Sequence, residues 1–166
     1  MSRCLAKQSL LALRLSQLLQ KKTIVQLDIP KNIKIFLEGN AGNNILTDGR
    51  GNDTLFGGAG VDSFVLNKPS FGVDIIKDFI SGTDKISISQ SEYGGGLIAG
   101  NPLLSSQIRL GAGVSGANSA SQRFLFNTTN GNLYFDADGV GGIGAVQIAK
   151  LEGVTGLSAG DFHVGL

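Results

Sequence analysis

Residues 39–65 read GNAGNNILT from Gly39, DGRGNDTLF from Asp48 and GGAGVDSFV from Gly57, three nine-residue units in phase. Each carries Gly at its fourth position (Gly42, Gly51, Gly60), Asn or Asp at its sixth (Asn44, Asp53, Asp62) and a large apolar residue at its eighth (Leu46, Leu55, Phe64). A fixed short period of this kind marks stacked repeats. Physically, each unit is a six-residue turn followed by a three-residue strand. Glycine gives the turn its left-handed backbone angles, and the middle residue of the strand points inward. If two units make one coil, the first and third turns stack on one edge and the second lies on the opposite edge. Leu46 and Phe64 then share one sheet, and Leu55 faces them from the other. Carboxylates and turn carbonyls on an edge would face each other across a gap suited to a hard cation. Ca²⁺ fits best, because it takes about 6–8 oxygen ligands at about 2.3–2.6 Å in irregular geometry.

The rest of the composition narrows the alternatives. The 166 residues suffice for one modest domain, and 25 Gly with 3 Pro and no every-third-residue period point to repeated tight turns rather than collagen. A net charge of +1 advertises neither nucleic acid nor an anionic membrane as partner. The single Cys4 excludes an intrachain disulfide framework, and one His in the chain argues against a Cys/His zinc site. No apolar run reaches the ~18–20 residues needed to span a bilayer.

The three units resemble the GGxGxDxUx nonapeptides of RTX, or haemolysin-type, calcium-binding proteins, and Gly57-Gly58-Ala59-Gly60-Val61-Asp62-Ser63-Phe64 matches that pattern throughout. The resemblance implies an all-β fold built on a short parallel β-roll, with Ca²⁺ held by sixth-position side chains and turn carbonyls. Carried over to this chain, the ligands are Asn44, Asp53 and Asp62, with carbonyls from Gly49 to Gly51 and from Gly57, Gly58, Ala59 and Gly60. Two departures stand out. Asn44 replaces Asp and Asp48 replaces Gly, so the edge formed by the first and third units is expected to bind more weakly.

Beyond the repeats, residues 72–89 (GVDIIKDFISGTDKISIS) resemble the capping segment of the same family, in which Asp74 or Asp78 would complete the last calcium site. Ile86 and Ile88 alternate as in a half-buried strand. The stretch from Arg123 to Asp136 reads as a β-hairpin around Asn130-Gly131, and Val146–Leu151 as a further strand. The run from residue 126 to 151 resembles the terminal segment of type I secreted calcium-binding proteins, serralysin-like in its C-terminal domain. Altogether the resemblance covers residues 37–166. It divides the chain into a basic, Leu-rich segment 1–34 (helix or disordered), β-roll repeats 35–66, and a β-rich, sandwich-like cap 67–166.

Three other motifs are set aside on chemical grounds. Asp136-Ala137-Asp138-Gly139 opens like an EF-hand, but Gln147 stands where a bidentate Glu belongs, so it reads as a turn. Gly111–Gly116 is a formal GxGxxG, yet residues 117–121 (ANSAS) do not build the helix a dinucleotide site needs. His163 has no nucleophile or metal-ligand neighbours in sequence.

Together these readings predict a calcium-binding module, not an enzyme, that folds on meeting Ca²⁺ outside the cell and forms the C-terminal part of a type I secreted protein. Its partners would be calcium ions and the type I secretion machinery, with no nucleic acid. The last residues, Ser158 to Leu166, an acid followed by apolar side chains, resemble an uncleaved export signal; they also suit a final strand packing Phe162 and Val164. The tail of a secreted protease or lipase, and a calcium-dependent surface-layer or adhesion protein, are the alternative readings. For Met1–Lys22 the leading reading is a helix capping the roll, followed by a membrane-surface helix and a disordered start.

Overall fold

The computed structural model describes residues 24–26 and 34–165. Twelve strands among them form two sheets. One sheet joins β1 (Ile24–Gln26), β3 (Ile45–Thr47), β5 (Ser63–Leu66), β7 (Lys85–Ser89) and β12 (Phe162–Gly165), in that order and all parallel. The other runs β2 (Phe36–Glu38), β4 (Thr54–Phe56), β6 (Asp74–Ile76), β11 (Val146–Leu151), β10 (Asn132–Phe135), β9 (Phe124–Asn127) and β8 (Ile108–Gly111). Its only antiparallel pairs are β11 with β10 and β10 with β9. The chain is thus an all-β roll whose two sheets run on, without a break, into a sandwich.

The local period produces this arrangement. Strands of three or four residues that alternate out and in bury Leu37, Leu46, Leu55 and Phe64, each 1% exposed or less, and the turns carry the chain alternately between sheets. Leu46 pairs with Phe64 and Leu37 with Leu55, so the expected stacking of inward residues is what forms. Burying each such side chain contributes roughly 1.5–3 kcal/mol before entropy is counted.

The roll begins earlier than the glycine pattern suggests. β2 stacks in register on β4 although residues 30–35 (PKNIKI) carry none of the repeat's Gly or Asp, and β1 pairs with β3. Ile24–Gln26 is therefore a strand inside the segment expected to be helical or disordered; the readings of Met1–Lys22 lie outside the described residues.

After β5 the turns lengthen, and β6 and β7 continue the two sheets in parallel. The hairpin β9–β10 turns through residues 128–131, where Gly131 sits at φ 75°. One apolar core then runs from Ile35 to Val164. At its far end lies an aromatic cluster in which Tyr93, on the short helix α1 (Gln90–Tyr93), meets Phe135 edge-on at 4.9 Å, and Phe124 meets Phe162 at 4.6 Å. Buried Asp161 locks the last strand in place, accepting from Ser81 Oγ, the Gly82 N–H and the Ser158 N–H. Burial raises its pKa, and these donors outweigh that and hold it below the ordinary carboxylate value.

Candidate metal centre

The turns stack on two edges. On one, which we call the Asn44 edge, lie residues 39–44, 57–62 and 77–84; on the other, the Asp53 edge, lie residues 48–53 and 67–73, the latter leading into Asp74. Backbones on an edge approach so closely that only glycine fits. A Cβ at Gly58 (φ 96°) would collide with the Asn40 carbonyl oxygen, and one at Gly72 with that of Gly51.

A single device repeats along both edges. Oδ1 of a turn's last carboxylate accepts the N–H of the equivalent residue one coil earlier. Ile35 donates to Asp53 at 2.9 Å, Asn44 to Asp62 at 2.8 Å, Asp53 to Asp74 at 3.0 Å and Asp62 to Asp84 at 2.9 Å. The sixth-position Asp therefore has two duties: one oxygen stitches successive coils and the other is left for a ligand. Asp74 and Asp84 hold the same rung as Asp53 and Asp62 although they lie outside the nonapeptide pattern. Asp84 escaped the sequence reading because its turn is longer; the signal that could have found it is the Gly82-Thr83-Asp84 run before the Ile86/Ile88 alternation.

On the Asp53 edge the second oxygens have nowhere to go. Asp48, Asp53 and Asp74 bring one carboxylate oxygen each within 4.8 Å of one another, and they are 2%, 1% and 9% exposed. Oδ2 of Asp48 and Oδ2 of Asp53 are buried with no hydrogen-bond partner. Burial, then the charges of Asp74 and Asp53, push Asp48 far above the ordinary carboxylate range; burial, then the charge of Asp53, does the same to Asp74. Asp53 is raised too, by burial, with the Ile35 N–H and then the Lys34 charge easing it only in part. Among the described residues the ion pairs are Lys68–Glu92 and Lys77–Glu152, neither of which reaches these acids. Each carboxylate pair at such a separation repels by about 3 kcal/mol at an effective dielectric of ~20. The cluster therefore demands protons or a cation. An all-oxygen donor set with unpaired lone pairs, flanked by the Gly49 and Gly51 turn, suits Ca²⁺ and offers nothing to a soft metal.

The Asn44 edge is different, because Asp78 and Asp84 each already take two backbone donors, while Asp62 takes one. Asp78 accepts the N–H of Gly57 at 2.9 Å on one oxygen and that of Gly58 at 2.8 Å on the other. Asp84 accepts from Asp62 and, through Oδ2, from Ile80. Asp62 is raised by burial and then by the nearby charges of Asp84 and Asp78. At the first turn, Asn44 Nδ2 donates to the Gly42 carbonyl at 2.6 Å and to Asn40 Oδ1 at 3.3 Å, and its Oδ1 takes the Asn40 N–H at 2.6 Å. Asn44, expected from the sequence as a ligand, has its amide engaged by groups of its own turn. Its amide Nδ2 holds two of the turn's oxygens as a hydrogen-bond donor.

Asp48 is the other correction. It lies not on the edge of Asn44 but on the opposite one, where it adds a charge. Gly57, Gly58, Ala59 and Gly60 fall on the Asn44 edge, Gly60 pressed against the carbonyl of Gly42. Asp136 and Asp138 make a turn, Asp136 Oδ1 accepting the N–H of Gly139 at 2.8 Å and Asp138 Oδ2 that of Ile143 at 3.1 Å.

Residues 36–66, from β2 to β5, match the family model described as the RTX calcium-binding nonapeptide repeat (4 copies). That segment is similar to RTX calcium-binding repeats. No curated protein and no solved structure matches the chain. The RTX segment contributes Asp48 and Asp53 to the acidic cluster, whereas Asp74 comes from the strand that follows it. A calcium-binding motif and an uncompensated buried triad of carboxylates thus coincide.

Proposed function

We propose that this chain is a calcium-dependent folding module, non-catalytic in itself, belonging to a protein exported by a type I route and ordered outside the cell. The observation that carries the reading is the Asp48–Asp53–Asp74 cluster, in which two buried carboxylate oxygens lack any partner. Calcium bound there would supply the positive charge that three clustered carboxylates require.

The chain's own residues do the rest. With little free calcium, Asp48, Asp53 and Asp74 repel one another, and the stitch from Asp53 N–H to Asp74 that joins β4 to β6 is weakened with them. Since those strands belong to the sheet that also holds β9–β11, loosening this edge loosens the sandwich. Binding free energy at a site assembled only by folding is folding free energy. Extracellular modules of this kind typically bind with Kd of about 10⁻⁴–10⁻³ M, which matches calcium outside a cell and not inside it. Phe162 and Val164, buried in β12, then close the sheet beside β7. Among the described residues no helix is long and apolar enough to cross a membrane.

Circular dichroism during a calcium titration, with magnesium as control, tests the proposal. Strand signal and thermal stability should rise at up to several millimolar Ca²⁺ and much less with Mg²⁺. No gain with calcium would refute it.

A further inference from the structure

The first position of a repeat unit is aimed at its sixth. A Cβ at Gly39 would collide with Oδ1 of Asn44, and one at Gly57 with Oδ2 of Asp62. On the Asn44 edge that position is therefore closed to side chains. The second unit departs from this rule, with Asp48 in place of glycine. Its carboxylate meets Asp53, the sixth-position acid of its own unit, and also Asp74 from the next coil: one oxygen of each lies within 4.8 Å of the others. Ligands on opposite sides of a calcium-sized ion are about 4.6–5.2 Å apart, so the three acids stand at the spacing of ligands around one ion. Oδ2 of Asp48 and Oδ2 of Asp53 are buried and take no donor. Three buried carboxylates around one divalent ion leave a surplus negative charge. Lys34, whose charge eases Asp53, is exposed, and water screens it.

We propose that Asp48 makes this site selective by charge, so that it takes a trivalent hard cation of calcium's size, a lanthanide ion, in preference to Ca²⁺. The inference rests on the calcium reading above, because the same oxygens form the site. A lanthanide ion shares calcium's demand for many oxygen ligands in irregular geometry, and it supplies the charge that the third carboxylate leaves unmatched. The number of charged ligands is what tunes affinity in oxygen sites of this kind. One further unit of charge at about 2.5 Å from a carboxylate oxygen raises affinity more than about tenfold even at the dielectric of water, and further where water is excluded.

The test compares two affinities in the full chain. Calcium chloride and lanthanum chloride are titrated separately, by calorimetry and by circular dichroism, into the parent, Asp48→Asn, Asp48→Gly and Asp138→Asn. Asp48→Asn keeps the shape and one oxygen but drops the charge, and Asp48→Gly restores the glycine of the other units. In the parent, lanthanum should bind at least about a hundredfold tighter than calcium. Both Asp48 variants should narrow that ratio at least about tenfold, and Asp138→Asn, which lies on neither edge, should leave it unchanged. The ratio isolates charge, since a variant that merely loosens the fold weakens both ions alike. An unchanged ratio in the Asp48 variants, lanthanum no tighter than calcium in the parent, or loss of both ions from both Asp48 variants overturns selectivity by Asp48 and leaves the calcium reading standing. A parent that binds lanthanum but not calcium upholds the selective site and overturns the calcium reading. A parent that binds neither ion overturns both.

Discussion

The two edges of the roll are built from the same turn and the same stitch, yet they treat charge in opposite ways. On the Asn44 edge, backbone N–H groups of Gly57, Gly58, Asp62 and Ile80 occupy carboxylate oxygens of Asp78 and Asp84, and an amide fills the first turn. On the Asp53 edge the stitch consumes one oxygen of Asp53 and one of Asp74, and Asp48 brings a third acid whose Oδ2 has no donor. The lesson is that a repeat's consensus acid does not by itself define a cation site. What defines it is the balance between acceptors delivered to an edge and N–H donors already there.

The largest test of that contrast is Asp53→Ala against Asp62→Ala. Both remove one stitch, worth about 1 kcal/mol or somewhat more for a charged acceptor, but only the first dismantles the unsatisfied cluster. Asp53→Ala should raise the calcium midpoint for folding by more than tenfold, and Asp62→Ala by no more than a few-fold, as read by circular dichroism. Equal shifts would erase the distinction between the edges.

Asn44→Asp probes the same contrast from the other side. It removes the Nδ2 donor to Gly42 and Asn40 and leaves a buried acid facing their oxygens. Stability in chelator should drop by about 1–3 kcal/mol in denaturant titration, and calorimetry should count one additional calcium. A stability loss with unchanged stoichiometry would show that the first turn cannot hold a cation even when charged.

The smallest expected effect is on pH dependence in chelator. Asp48, Asp53 and Asp74 have folded pKa values above their unfolded ones. Their contribution is therefore fully present below the ordinary carboxylate range near pH 4 and is lost as pH rises through the raised values. Asp161, held low, works in the opposite sense, its contribution present above that range and lost as pH falls through its depressed value. The chelated chain should accordingly melt at lower temperature at pH 8 than at pH 5, and Asp48→Gly should flatten that slope. With calcium the slope should reverse, because the ligands must be deprotonated to bind. A calcium-loaded chain that still melts lower at pH 8 would place the cation elsewhere.

Much of the architecture was legible in the residues. Leu46, Leu55 and Phe64 at a period of nine told which side chains face inward and which strands share a sheet, and Asn130-Gly131 told where a hairpin turns. Less legible were β1 and β2, whose strands carry the eighth-position apolar residue without the glycines that make the turn visible. Of the Asp53 edge, Asp53 and Asp74 stood out in the sequence as candidate acids, and the structure brings them together. Asp48 was misread as a lost glycine, because its value depends on a partner 26 residues away across the coil.

The sequence by itself determined the alternation of turn and strand, since glycine's freedom at positive φ and the two-residue period of a strand are local properties of the chain. Only the tertiary structure decided which acids would meet and which would be neutralised. Coil length grows from a step of 18 residues to one of 21 on the Asp53 edge and 22 on the Asn44 edge. That growth, set by how the longer turns pack onto β6 and β7, brings Asp74 over Asp53 beside Asp48 and leaves two carboxylate oxygens buried without a donor.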